Sequence, residues 1–143
     1  AEGATVACGG HKAQVDGKGF FYEPTVITGC THDMRIMREE IFGPVLPITT
    51  FKTLDEAIEM ANDSVYGLTS SIFTTDYDTV MRAMNEIKFG ETYVNREHFE
   101  AFQGFHQGVR QSGIGGEDGE LGVEEYLETH VCYVDWDTER NKA

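Results

Sequence analysis

The segment from residue 45 to residue 95 alternates between short apolar runs and amphipathic helical patterns, and this order restricts the fold more than any other feature. Residues 45–51, 68–73 and 92–94 are rich in β-branched or aromatic residues, so each is predicted to be a strand. A helical pattern separates each strand from the next. The order β-α-β-α-β predicts an α/β fold with a mostly parallel sheet, flanking helices and right-handed crossovers.

The two helical patterns have recognisable starts. Thr53 followed by Glu56 matches a capping box, and the helix is predicted to run to about Asn62. Thr75 or Asp76 is predicted to cap the second helix. The apolar stripe of this second helix consists of Tyr77, Val80, Met81, Met84 and Ile87. Each helix should therefore bury one face.

The flanks of this unit are predicted to be extended, with tight turns. Residues 5–8 form a short apolar run before a pair of glycines, and residues 20–27 carry aromatic and β-branched side chains interrupted by Pro24. Residues 31–36 resemble one helical turn. After a glycine-rich stretch, residues 123–134 are predicted to form a short helix to residue 128 and then a final strand.

The size and charge of the chain exclude several functions. The chain has 143 residues, of which 40% are hydrophobic, so a single domain with a hydrophobic core is expected. Its formal net charge of −14 disfavours binding to nucleic acid or to an anionic membrane. No apolar run is long enough to span a bilayer, and residues 1–5 lack a secretory signal pattern. We therefore expect a cytoplasmic protein.

The thiols and imidazoles do not form a metal-binding pattern. Cys8, Cys30 and Cys132 are widely spaced without a CxxC pair, so neither a zinc site nor a disulfide framework is predicted. Each of the three is interpreted as a structural, reduced thiol. The histidines that lack an acidic or thiol partner at metal-ligand spacing are His11, His32 and His130.

Residues 38–45 read REEIFGPV and place two carboxylates, an aromatic and a Gly-Pro break directly before the first strand of the β-α-β-α-β unit. Taken alone, Glu39 and Glu40 are most simply a solvated pair on a loop. General acid-base chemistry would require one of them to be desolvated. A second unusual string, SGIGGEDG, occupies residues 112–119.

These two strings, with the β-α-β-α-β order between them, resemble the aldehyde dehydrogenase superfamily over about residues 9–134. The resemblance implies oxidation of an aldehyde to its acid, with NAD as cofactor and NADP not excluded, through a thioester on a cysteine. In that family the second Glu of the first string hydrogen-bonds the nicotinamide ribose, and the Phe two positions later packs near the nicotinamide. Those positions are Glu40 and Phe42, and both residue types suit these roles.

The second string resembles the Ser-Gly-x-Gly-Arg-Glu-x-Gly element of the same family. Gly116 stands where the family has Arg, which removes an expected ion pair or cap. The loop is interpreted as structural, because no P-loop lysine and no GxGxxG after a strand is present to bind phosphate.

The loop after Asn95 corresponds to a segment that lines the substrate tunnel in that family. Glu100 and His106 occupy two positions where many relatives have aromatic residues. A carboxylate and an imidazole make the tunnel polar, which favours a small hydroxylated aldehyde and resembles the lactaldehyde and glycolaldehyde dehydrogenase branch. The alternative is a surface salt-bridge cluster, and His98 is assigned to that alternative.

The resemblance places the nucleophilic cysteine, the general base and the dinucleotide-binding domain outside the matched region. We therefore expect a C-terminal piece that contains no catalytic residue and is inactive alone. Residues 1–122 are interpreted as the C-terminal part of the catalytic domain. Residues 123–143 are interpreted as a terminal helix, an oligomerisation strand at residues 129–134, and a tail. The alternative function is a non-catalytic module for assembly, in which the last strand pairs with a neighbouring chain.

Overall fold

The computed structural model describes residues 2–136 and has an α/β architecture built from small sheets and short helices. The strands are β1 (Thr5–Cys8), β2 (Lys12–Val15), β3 (Lys18–Tyr22), β4 (Thr25–Thr28), β5 (Val45–Pro47), β6 (Thr69–Ile72), β7 (Glu91–Val94), β8 (His106–Gln107) and β9 (Gly116–Glu117). The helices are α1 (Arg35–Arg38), α2 (Leu54–Asn62), α3 (Tyr77–Glu86) and α4 (Gly119–Glu124), with a 3-10 turn at Arg110–Ser112.

The strands form separate sheets. One has the order β1-β4-β5, in which β4 pairs antiparallel with β1 and parallel with β5. The pair β6-β7 is parallel, with Thr69 opposite Glu91 and Ile72 opposite Val94. The pairs β2-β3 and β8-β9 are antiparallel hairpin-like pairs. The predicted α/β class and each strand of the β-α-β-α-β unit are confirmed.

The prediction that the three strands of this unit lie side by side in one parallel sheet is wrong for the first strand, β5, which does not pair with β6. Within residues 2–136, β5 pairs only with β4, and β6 pairs only with β7. An apolar cleft of about 530 Å³ is lined by Phe51 after β5, Ile58 of α2, and Ile72 at the end of β6. Local patterns define strands, whereas the position to which a crossover returns depends on which other strands are present.

Both predicted helix starts are present. Thr53 Oγ1 accepts a hydrogen bond from the backbone N of Glu56 at 3.2 Å, while Glu56 Oε2 accepts from the backbone N of Lys52 at 2.7 Å. Asp76 caps α3 by accepting from the backbone N of Thr79 at 3.1 Å. These bonds satisfy N–H groups that have no partner inside a helix.

The two helices pack against each other through polar contacts. Arg82 of α3 donates to Asp55 of α2 at 2.7 Å and to Glu86 at 2.7 Å. Asn62 at the end of α2 donates to the backbone O of Glu86 and accepts from the backbone N of Lys88, each at 2.8 Å. These contacts join the end of α2 to the end of α3. The strands that follow the two helices, β6 and β7, lie side by side.

The hydrophobic core expected from composition is largely missing. Within the described chain, the buried apolar residues are Cys30, Met34, Ile58 and Ala83. The accessible surface is 11515 Å², whereas a compact monomer of 16.0 kDa has about 7,400 Å². Phe20, Phe102 and Ile114 are among many large apolar side chains that face solvent. Hydrophobic patterns show which faces are apolar, and here most of those faces have no cover within the chain.

The C-terminal region differs from the sequence prediction. Helix α4 lies at Gly119–Glu124, four residues before the predicted helix, because Gly122 allows the helix to lie directly against the backbone of Glu117. Residues 129–134 form no strand, since no other strand lies beside them among residues 2–136. The predicted tail at 137–143 lies outside the described residues. No helix in the described region is long and apolar enough to cross a membrane.

Three backbone segments cross closely at Gly90. Its N–H donates to the carbonyl of Gly67 at 3.1 Å, and the N–H of Val109 donates to the same carbonyl at 3.0 Å. A Cβ atom at Gly90 would lie 1.8 Å from the backbone O of Gln107. Only a residue without a side chain fits this crossing, which brings the start of β7 beside β8.

We therefore expect Gly90→Ala to lower the free energy of unfolding by about 3 kcal/mol, because the crossing backbones have to separate. Urea unfolding of the protein measures this loss. Gly43→Ala is the matched control, since a Cβ at Gly43 meets no atom closer than 3.9 Å, and its effect should stay within about 0.5 kcal/mol. Equal stability of Gly90→Ala and the native protein would show that the crossing is not as tight as described.

Candidate functional site

The two adjacent glutamates after α1 have different environments. Glu39 Oε2 accepts from Arg35 Nε at 2.9 Å, in an i,i+4 ion pair on the surface. Glu40 is exposed, and its carboxylate has no hydrogen-bond or ion-pair partner in the described part of the chain. Of the two carboxylates, Glu40 is thus the one that is available to a ligand.

Glu40 lines a groove of about 420 Å³, called here the Glu40 groove, and Glu39 lines it too, together with residues that include Tyr66, Leu68, Phe89 and Ser112. The two motif strings therefore meet at one surface, although they are far apart in sequence. Ser112 Oγ also accepts from the backbone N of Gly67 at 2.8 Å, which fixes the glycine-rich loop to the entry of β6. The groove combines the free carboxylate of Glu40 and the ion-paired Glu39 with apolar and aromatic residues.

A polar cluster holds α1, and with it Glu40, against the end of α2. Arg38 Nη1 donates to the Asp63 carboxylate at 2.6 Å and to the Asp63 backbone O at 2.8 Å. His32 Nε2 lies 2.9 Å from the same carboxylate. The hydrogen bond from Arg38, followed by that from His32, lowers the pKa of Asp63. Among residues 2–136 no group of His, Cys, Asp and Glu has the size and geometry of a metal site.

Phe42 lies beside this groove rather than in it. Its backbone has a φ of 52°, which is uncommon for a residue with a side chain, and its ring is 93% exposed. The structure does not bring Phe42 onto the groove that Glu40 lines. The ring is therefore free to contact another part of the protein or a ligand.

The two predicted tunnel residues lie in one region but differ in burial. His106 begins β8, and its Nδ1 lies 3.0 Å from Glu91 Oε1 in a pair whose side chains are 22% and 15% exposed. Glu91 Oε2 also accepts from the Tyr93 hydroxyl at 2.6 Å. Glu100 is exposed and close enough for its charge to raise the pKa values of both His106 and Tyr93.

The hydrogen bond between His106 and Glu91 is the largest cause of the raised pKa of His106. The separate hydrogen bond between Tyr93 and Glu91 is the largest cause that raises the pKa of Tyr93 to about 12. Sequence reasoning missed Glu91 and Tyr93. Their spacing of two along β7 puts both side chains on one face of the strand, which was the available signal.

Among the described residues His98 makes no ion pair, so its assignment to a salt bridge is wrong, while its exposure agrees with a position on the surface. Its ring stacks on Tyr93 with centroids 5.4 Å apart, and its Nδ1 lies 2.7 Å from Thr69 Oγ1. Arg96 also lies over the Tyr93 ring, with its guanidinium carbon 5.5 Å from the ring centroid. The contact that holds His98 is therefore stacking on Tyr93 of β7, and not the charged partner that was expected.

None of the three thiols lies in the Glu40 groove. Cys30 is buried, with its Sγ 3.8 Å from the backbone O of Ile27, whereas Cys8 and Cys132 are exposed. All three are free thiols. The burial of Cys30 agrees with its interpretation as structural, and for the exposed Cys8 and Cys132 that interpretation stays a prediction.

Comparison with known proteins gives a consistent result. The model of the family described as "Aldehyde dehydrogenase family" matches residues 1–132. Lactaldehyde dehydrogenase of Escherichia coli is 59% identical over 133 residues, which cover 93% of this chain and 27% of that protein. D-glyceraldehyde dehydrogenase (NADP(+)) of Picrophilus torridus is 44% identical over 137 residues, covering 94% and 28%.

The solved structures that resemble this chain are also aldehyde dehydrogenases. The crystal structure of the Escherichia coli lactaldehyde dehydrogenase superposes with a TM-score of 0.88 at 59% identity, covering 93% of this chain and 28% of that one. Betaine aldehyde dehydrogenase from Staphylococcus aureus in complex with NAD+ gives a TM-score of 0.84 at 44% identity, covering 94% and 29%. The chain thus spans less than a third of the length of these relatives.

Proposed function

The chain belongs to the aldehyde dehydrogenase family, and from this premise we propose that it forms one side of the active-site cleft of an NAD-dependent aldehyde dehydrogenase. The observation that carries the proposal is the Glu40 groove, where an unpartnered carboxylate faces a surface shared by both family motifs. The reaction is oxidation of a small hydroxyaldehyde to its carboxylic acid. The thiolate that forms the thioester is supplied from outside residues 1–143.

The residues of the groove suit a nicotinamide dinucleotide. A free carboxylate accepts hydrogen bonds from two ribose hydroxyls, and the neighbouring Tyr66 and Phe89 offer apolar area. When bound, NAD supplies the acceptor for the hydride that leaves the substrate. Glu40 orients the ribose, while the exposed ring of Phe42 limits where the nicotinamide end lies. Relatives include proteins named with NADP(+) and with NAD+, and NAD is our choice between them.

The proposed substrate class follows from the polar side chains near the end of β7. Glu100 and His106 present a carboxylate and an imidazole where an apolar tunnel would favour fatty or aromatic aldehydes. An oxygen substituent on the substrate satisfies such groups, and an apolar substrate leaves them unpaired at a cost. The names lactaldehyde dehydrogenase and D-glyceraldehyde dehydrogenase among the relatives support a small oxygenated aldehyde.

The surface of the chain supports its dependence on a larger assembly. Its accessible area exceeds that of a compact monomer by roughly 4,000 Å², and the free edges of β5 and β6 adjoin an apolar cleft. We propose that the remainder of the catalytic domain covers these surfaces. Free thiols in the described region agree with the proposed cytoplasmic location.

The second candidate function, assembly, rests on a separate observation. Residues 129–134 belong to no sheet among residues 2–136, and Val131, Tyr133 and Val134 are at least 65% exposed. An unpaired segment with β-branched and aromatic side chains is suited to add a strand to a neighbouring sheet. We propose that this segment pairs with another subunit, which makes the intact protein a homo-oligomer.

Replacing both Glu100 and His106 by Phe in the complete protein is expected to change substrate preference. The ratio of kcat/KM for glycolaldehyde to kcat/KM for propanal should fall roughly 100-fold, because two polar partners of the hydroxyl are lost. Steady-state kinetics with both aldehydes measure the ratio.

His98→Phe is the matched control for this pair. It introduces the same side chain nearby, at a residue that contacts Thr69 and Tyr93 instead of the proposed tunnel. Its substrate ratio should stay within about two-fold of the native value. An unchanged ratio in the double variant would assign Glu100 and His106 to the surface and remove the basis for the substrate class.

A further inference from the structure

Glu91 is the centre of a hydrogen-bonded group that includes Tyr93 and His106. One carboxylate oxygen accepts from the Tyr93 hydroxyl at 2.6 Å, and the other lies 3.0 Å from Nδ1 of His106. The Glu91 side chain is 15% exposed and that of His106 is 22% exposed. Because both carboxylate oxygens are engaged, the carboxylate cannot rotate without breaking one of these bonds.

This arrangement fixes the tautomer of the neutral imidazole and the orientation of the ring. A carboxylate only accepts, so Nδ1 of His106 carries the proton that it shares with Glu91. Nε2 is then the ring nitrogen without a hydrogen-bond partner among residues 2–136. The ring plane is set by the Nδ1 contact, so the direction of Nε2 is set as well.

We propose that Glu91 is a positioning residue for substrate recognition: by holding Nδ1 of His106, it aims Nε2 at the oxygen substituent of the aldehyde, to which the protonated ring donates a hydrogen bond. The inference rests on the proposed function, in which His106 lines the substrate tunnel. Tyr93 has a supporting role, since its hydroxyl keeps the Glu91 carboxylate in the orientation that meets the ring. Glu91 itself does not touch the substrate.

The charges around the ring favour the form of His106 in which Nε2 carries a proton. The hydrogen bond that His106 donates to Glu91 raises the pKa of His106, and the charges of Glu91, Glu100 and Glu117 act in the same direction against partial burial. Tyr93 faces the same carboxylate and stays neutral near neutral pH, because its own pKa is raised. Raising the pH through the His106 pKa removes the Nε2 proton, so the KM for a hydroxyaldehyde should then rise.

The test compares Glu91→Gln with Glu117→Gln in the complete protein. Both variants remove one negative charge near His106, but only Glu91 is hydrogen-bonded to the ring. Nitrogen-detected NMR of labelled histidine gives the tautomer and the pKa of His106. Kinetics with glycolaldehyde and propanal give KM and kcat for a substrate with and without the hydroxyl.

For Glu91→Gln we expect loss of the fixed tautomer, a lower pKa for His106, and a roughly ten-fold higher KM for glycolaldehyde. The rise in KM with pH should begin at lower pH than in the native protein. The values for propanal should stay within about two-fold, and Glu117→Gln should keep the native tautomer and KM. Tyr93→Phe should shift KM in the direction of Glu91→Gln by a smaller factor.

Three results would overturn the proposal, and they have different meanings. A native tautomer and pKa in Glu91→Gln would show that Glu91 does not control the ring. Equal losses with both aldehydes would make Glu91 a structural link between β7 and β8. An altered tautomer with native KM values would place His106 outside the tunnel, and it would then contradict the substrate class as well.

Discussion

The chain of residues 1–143 is expected to form no NADH from glycolaldehyde and NAD, so its rate should be at least about 10⁴-fold below that of the complete protein. The physical reason is the absence of a thiolate at the groove. Cys30 is buried beside a backbone carbonyl, and Cys8 and Cys132 are exposed thiols that do not line the Glu40 groove. A thioester requires the attacking sulfur within reach of the bound aldehyde. The measurement is the absorbance of NADH over time.

Inactivity of the chain alone would also follow from poor folding, so a second measurement is needed in the complete protein. Cys8→Ser and Cys132→Ser should each leave kcat within about two-fold of the native value, and so should Cys30→Ala if the protein remains folded. A loss of 10³-fold or more in any of the three variants, with native circular dichroism, would identify a catalytic thiol in this chain. Turnover by the chain alone would lead to the same conclusion.

Glu40→Gln in the complete protein is expected to lower kcat/KM for NAD roughly 10- to 100-fold, the size of one lost charge-assisted hydrogen bond pair. The amide keeps the shape of the side chain but accepts at only one atom, so the ribose loses its fixed position. Part of the loss should appear in kcat, because a misplaced nicotinamide takes up the hydride less often.

Glu39→Gln provides a matched control for this prediction. The substitution is chemically identical and one residue away, and Glu39 lines the same groove, but its carboxylate is already engaged by Arg35. Its kinetic parameters should stay within about two-fold of the native values, since a surface ion pair contributes little. Equal behaviour of the two variants would remove Glu40 from the cofactor site.

Local features of the fold were predictable from the sequence. Thr53 and Asp76 cap α2 and α3, because capping depends on side chains within three residues of the helix start. The ion pairing of Glu39, and not of Glu40, was also predictable, since Arg35 lies four residues before Glu39 on one helical face. The hairpin of β2 and β3 was missed, although Asp16-Gly17 is a strong turn signal and both residues have positive φ.

Features that depend on distant parts of the chain were not predictable in the same way. The separation of β5 from β6 is set by strand partners, and a sequence pattern contains no information on which partner is present. The small core has the same origin, because Phe102 and Ile114 have core-like chemistry but face solvent in this chain. The contact of Glu91 with His106 joins residues that are 15 positions apart. The spacing of two from Tyr93 along β7 could have indicated the face on which Glu91 lies, but not its partner.

The most direct test is a crystal structure of the complete protein with NAD bound. The account predicts that the Glu40 carboxylate lies about 3 Å from the ribose hydroxyls next to the nicotinamide, in a cleft closed on the other side by residues from outside 1–143. A ribose bound away from Glu40, or a Glu40 groove filled by another part of the protein, would contradict it.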